Sequence, residues 1–154
     1  MDAHSSALHE MGHAIVAEHF GQDTEAVIFL RDTQHDDLDL SYTGGFTTNS
    51  GLGRTPFRQA CIGFAGYAAA LIAEHDYDAL DVFESFFGEE QSKTDMASVE
   101  GHKQQWRACK TACNILTKNK AELIERATKL ETKFLANLSP AQRAGEFVVM
   151  ASVQ

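Results

Sequence analysis

The amino-acid sequence predicts an α+β fold, mainly α, with helices around one core and a small β-sheet or hairpin beside the first helix. Three observations lead there. The stretch "FRQACIGFAGYAAALIAEH" (57–75) is apolar on most sides and is opened by Thr55-Pro56, an N-cap followed by proline at the first helical position. It reads as the central core helix. From Ser92 onward two long helical patterns follow one another, whereas β-rich sequence is confined to two short runs, 25–31 and 38–48. At 154 residues, 44% apolar and 23% charged, residues 1–154 are expected to form one domain whose core needs no disulfide staples.

The first 20 residues read as a helix, with Ser5 or Ser6 as its cap and Gly21 as its stop. Leu8, Gly12, Ile15, Val16 and Phe20 give it an apolar stripe. "EAVIFLR" (25–31) suits a strand. After the polar, acidic connection "DTQHDD", "LDLSYTGGFTT" (38–48) reads as a second strand broken by the Gly44-Gly45 pair, and "NSGLGR" closes that region. The core helix follows. Residues 77–91 are acidic and aromatic and read as a short helix and a loop. Ser92 opens a long helix through roughly Thr117, "NKAELIERATKLETKFLAN" forms the next, and Ser139-Pro140 starts a final short one.

Composition narrows the function. The net charge is −9, with 18 acids and four bases in 1–100 against four acids and nine bases in 101–154. An acidic balance disfavours nucleic acid as a partner, and the basic C-terminal portion reads as solvated helix faces laced with Glu–Lys pairs. No stretch approaches the roughly 18 uninterrupted apolar residues of a membrane span. "MDAHSSALHE" lacks the basic and apolar regions of a secretory leader, so a cytoplasmic protein is the expectation. Cys61, Cys109 and Cys113 are an odd, sparse set that suits a reducing compartment, and Cys109 and Cys113, spaced i,i+4, read as small buried apolar residues. His35, His75 and His102 read as exposed. Trp106 with Phe83, Phe86 and Phe87 reads as core or subunit contact.

The chemistry lies in "HEMGHAIVAEH", His9 to His19. On a helix His9 and His13 stand about 40° apart around the axis and one turn apart along it, so two imidazoles can reach one tetrahedral zinc from the same side. Glu10 can reach a water at the ion's open position, whose pKa zinc brings down toward about 7, and take its proton. His19 completes the spacing H-E-x-x-H-x-x-G-x-x-H, but Val16 replaces the glycine that lets that pattern's chain leave the helix. If the helix continues, His19 sits about 9 Å along the axis from His13 and cannot share the ion. A catalytic zinc usually has a third protein ligand. Glu74, Asp76, Asp78, Asp81 and Asp95 remain open for that place.

"HEMGHAIVA" resembles the "HEAGHA-[IL]-VA" signature of the peptidase domain in FtsH-type AAA+ zinc proteases. "YTGGFTT" is similar to that family's glycine-containing strand beside the active site, and "IGFAGYAAALI" to its "LAGRAAEEL" core helix. "SKTDMASVE" resembles its "ASNDLERAT" segment, which supplies the third zinc ligand, and "ILTKNKAELIERATKLETKFL" its C-terminal helices. The resemblance covers nearly the whole chain. It implies a helical zincin-like peptidase domain in which His9, His13 and Asp95 bind Zn2+ and Glu10 is the general base. Ser92-Lys93-Thr94-Asp95 is also a capping-box pattern, and without the resemblance the cap is the preferred reading of Asp95. Ala70-Leu71 stand where the family has two glutamates, and Tyr67 where it has arginine, so support those groups give the metal must come from elsewhere.

The function so implied is a zinc-dependent metalloendopeptidase acting on unfolded or flexible polypeptides. No G-x-x-x-x-G-K-[ST] occurs, so the expected enzyme works without ATP or is served by a separate ATPase partner. The family's ring assembly makes a homo-oligomer a further expectation. The alternative is a non-catalytic zinc-binding assembly module derived from the same domain, motivated by the altered core helix and the missing ATPase.

Overall fold

A computed structural model describes residues 3–30, 42–48, 55–137 and 150–153. It is mainly helical. In chain order the elements are α1 (Ala3–His19), β1 (Thr24–Leu30), β2 (Tyr42–Thr48), α2 (Pro56–His75), α3 (Ala79–Phe86), α4 (Lys93–Val99), α5 (Gln105–Lys118), α6 (Lys120–Ala136) and β3 (Met150–Val153). The acidic connection with His35, residues 38–41 of the expected second strand, "NSGLGR" and the helix expected from Ser139-Pro140 lie outside the described residues.

α1 starts before either serine expected to cap it. Ala3 and Ala7 are buried against the core, so packing holds the first turn helical. Ser5 donates instead to Glu74 at 2.8 Å, and Ser6 is buried within the helix. Gly21, at φ +84°, ends the segment as expected, since that left-handed conformation suits glycine. α2 begins as predicted, with the Thr55 hydroxyl accepting from the Arg58 amide and Pro56 in the first turn. α3 is closed at its start by a reciprocal capping box between Asp78 and Asp81.

The single helix expected from Ser92 to Thr117 is two. Gly101 takes φ +76°, the chain turns there, and the Gln105 side chain donates to the Val99 carbonyl across the break. The strands form an antiparallel sheet in the order β2-β1-β3. Gly44 and Gly45 pair in register with Ile28 and Val27, so the glycine pair lies within β2 instead of breaking it. β3 pairs Ala26 with Val153 and Phe29 with Met150.

Side chains from α1, α2, α3 and α6 fill the core, among them Leu8, Met11, Phe64, Phe86 and Phe134, all fully buried. Each such side chain contributes about 1.5–3 kcal/mol by leaving water. Small residues set how closely the helices approach. A Cβ on Gly12 would lie 2.4 Å from Ala69 Cβ and 2.5 Å from the Ala65 carbonyl oxygen, so α1 and α2 touch nearly backbone to backbone. A Cβ on Gly63 would lie 2.9 Å from Ser98 Cβ and 3.0 Å from the Asp95 carbonyl oxygen, which seats α4 on the same helix. α2 is therefore the common floor for α1 and α4.

Candidate metal centre

The two helices laid on α2 carry the groups that meet. Gly12 lies between His9 and His13, and the close crossing it permits brings both rings down onto the turn 62–66 of α2. The His13 ring is almost wholly buried, with Nδ1–H donating to the Ile62 carbonyl at 2.6 Å. That bond fixes the tautomer and leaves the lone pair on Nε2. The rings of His9 and His13 are 4.7 Å apart, edge to face at 82°. Their Nε2 atoms are separated by 3.1 Å.

Asp95 comes from the first turn of α4. Its amide donates to Ser92 Oγ at 3.1 Å, which is half of the expected capping box. The carboxylate does not return to the cap. It lies with Oδ2 3.1 Å from His9 Nε2 and Oδ1 3.3 Å from His13 Nε2. The cap and the convergence on the histidines are thus served by one residue, through its amide and its carboxylate respectively. Burial acts to raise the Asp95 carboxyl, and the two imidazoles of His13 and His9 beside it outweigh that effect, holding the group well below the usual carboxylate range.

This donor set fits a small divalent cation. Zinc–nitrogen and zinc–oxygen bonds of about 2.0–2.1 Å place tetrahedral ligand atoms roughly 3.3 Å apart. The two Nε2 atoms are 3.1 Å apart, and each faces a different oxygen of Asp95, His9 at 3.1 Å from Oδ2 and His13 at 3.3 Å from Oδ1. The lone pair of His13 Nε2 is directed into the space shared with His9 Nε2 and the Asp95 carboxylate, where a cation would be bound. Two imidazoles and one carboxylate are common company for zinc. Among the described residues this is the one group of three such side chains whose donor atoms all lie within 4.8 Å of one another.

Glu10, next to His9 in the chain, is buried at 6% exposure. Burial pushes its carboxyl up to about 7, opposed by the charge of His9 and reinforced by that of Asp95. A carboxyl poised there can take and give a proton near neutral pH.

The other acids left open by the sequence are occupied elsewhere. Glu74 accepts from Ser5, Asp76 pairs with Lys120, and Asp78 and Asp81 cap α3. His19 is exposed and packs edge-on against Phe20, away from the three converging groups. His75 is exposed, while His102 is half-buried and accepts from the Gln104 amide through Nδ1. All three cysteines are buried free thiols. Burial pushes the Cys61 thiol up to about 12, and Cys109 is raised by its hydrogen bond with Cys113 and by burial, which leaves both poor nucleophiles.

Two contributors escaped the sequence reading: the Ile62 carbonyl and Gly66. A Cβ on Gly66 would lie 2.5 Å from His13 Nε2 and 2.6 Å from His9 Nε2. The available signal was a glycine in the middle of a strongly apolar helix, where it is disfavoured unless something must come close. No family model matches this chain, and no curated protein matches it.

Proposed function

We propose that the chain is a zinc-dependent metalloendopeptidase domain of the FtsH type, with a helical zincin-like fold, hydrolysing peptide bonds in unfolded or flexible polypeptides. The observation that carries this reading is the convergence of the donor atoms of His9, His13 and Asp95 to within 4.8 Å of one another, beside a buried glutamate adjacent to the first histidine. His9 Nε2, His13 Nε2 and an Asp95 carboxylate oxygen would hold the ion. Zinc bound there would supply Lewis-acid polarisation of the scissile carbonyl and acidify water.

The remaining work falls to the protein's own groups. The Ile62 carbonyl fixes the His13 ring, so that its Nε2 would be free to hold an ion. The Glu10 carboxylate accepts the proton of the attacking water and returns it to the departing amine. β2 is an outer strand of the described sheet, and an outer strand is suited to pair with an extended polypeptide. The Gly44-Gly45 pair of that strand, without side chains, permits close backbone approach. Folded substrates would need a separate unfoldase, and self-association of the domain is compatible with the reading.

One observation favours the rival, a zinc-stabilised assembly module without turnover. The donor side chains are enclosed, at 17% exposure for His9, 3% for His13 and 10% for Asp95, as structural zinc ligands usually are. Metal analysis with digestion of an unfolded protein such as casein separates the two. Wild-type chain should bind one zinc and cleave, and Glu10→Gln should keep the zinc while losing at least about 100-fold in cleavage rate. Full activity in Glu10→Gln removes the proposed base, and zinc without turnover in the wild type favours the module.

A further inference from the structure

We propose that Gly66 is a positioning residue of this centre: its lack of a side chain lets the Nε2 atoms of His9 and His13 meet over α2. The inference rests on the zinc-holding role proposed for His9, His13 and Asp95. The three atoms nearest an added Cβ are His13 Nε2 at 2.5 Å, His9 Nε2 at 2.6 Å and His13 Cε1 at 2.7 Å. All belong to the two imidazoles. The same turn of α2 holds the other side of the centre, because the Ile62 carbonyl, four residues earlier, accepts from His13 Nδ1. One helical turn therefore anchors one ring nitrogen and clears space for the other.

The three tight glycines differ in what they hold apart. At Gly12 and Gly63 the nearest atoms include backbone oxygens and short side chains of neighbouring helices, so a methyl group there would press helix against helix. At Gly66 the obstructing atoms are ends of side chains that rotate about χ1 and χ2. Alanine at 66 would move the rings and leave the helices in place. Reaching ordinary contact requires each ring end to retreat by about 1 Å, several times the roughly 0.2 Å within which ligand distances normally hold. Glycine is also disfavoured relative to alanine inside a helix. Its structural effect and its effect on the metal should therefore run in opposite directions.

The experiment measures zinc affinity by chelator competition, the visible spectrum of the cobalt(II)-loaded protein, and thermal unfolding of the metal-free protein, for wild type and Gly66→Ala. The expected result is an affinity loss of about 100-fold and an altered cobalt spectrum, with the metal-free unfolding temperature unchanged or raised. Wild-type affinity and spectrum in Gly66→Ala overturn the role of Gly66 alone. Failure of the wild-type chain to bind zinc overturns the metal reading and this inference with it. If Gly66→Ala does not fold, the same substitution in a His9→Ala, His13→Ala background must restore folding, because the obstructing rings are gone. A triple variant that stays unfolded overturns the inference.

Discussion

Asp95 shows how one residue can serve two purposes that the sequence presents as alternatives. Its amide binds Ser92 Oγ and starts α4, while its carboxylate meets both histidines. The capping pattern was legible from residue types alone, because a cap depends on neighbours three positions apart. The meeting with His9 was not, since it joins residues 86 positions apart, and only the resemblance singled out Asp95 among five acids. The spacing of His9 and His13 was legible for the same local reason as the cap. Asp95→Asn keeps the shape and the cap but removes the negative charge, leaving one neutral carbonyl oxygen in place of a carboxylate. It should therefore lower zinc affinity by at least about 100-fold, since that is the upper end of what is lost when a group that only hydrogen-bonds to a ligand is removed. Chelator competition reads the affinity, and an unchanged helix content by circular dichroism separates ligand loss from unfolding.

Among the elements, α1 is held from two sides. Gly12 seats it on α2, and at its other end Glu18 takes a two-pronged contact from Arg126 of α6, at 2.6 and 2.8 Å, and a hydrogen bond from Thr24 of β1. The Arg126 hydrogen bond, against some burial, lowers the Glu18 carboxyl below its ordinary value. The unfolded chain therefore binds the proton more readily than the folded one. The stabilisation is complete above the ordinary glutamate pKa of about 4.3 and fades as pH falls through the depressed folded value. The difference in unfolding free energy between wild type and Glu18→Gln should be largest near neutral pH and shrink below about pH 4, as denaturant titrations at several pH values will show. A constant difference across that range would deny the ion pair any part. Helices were the legible elements because their patterns run over many residues. Their ends were less so: Gly101 splits one expected helix, and burial of Ala3 extends another past its presumed cap. β3 escaped the sequence reading, because a four-residue strand is defined by the partner it pairs with more than by its own pattern.

For the molecule as a whole, the expected mainly helical α+β class agrees with the structure, and no helix among the described residues is long and apolar enough to cross a membrane. The fold places the candidate ligands on α1 and α4, with α2 between them in the chain and beneath them in space. An ion gripping His9, His13 and Asp95 would act as a clip on a loop of 86 residues, closing over more than half of the sequence. Zinc at about 100 times its dissociation constant should then add about 2.7 kcal/mol to stability and raise the thermal midpoint by roughly 5–10 °C, with a chelator reversing the shift. A midpoint indifferent to zinc and chelator alike would speak against the clip. The separation of the two halves also sets a timetable during synthesis. A ribosome exposes His9 86 residues before Asp95, so the carboxylate companion of the imidazoles arrives only once α4 has emerged. Until α4 has emerged and docked on α2, the nascent α1 carries only two of the three candidate ligands.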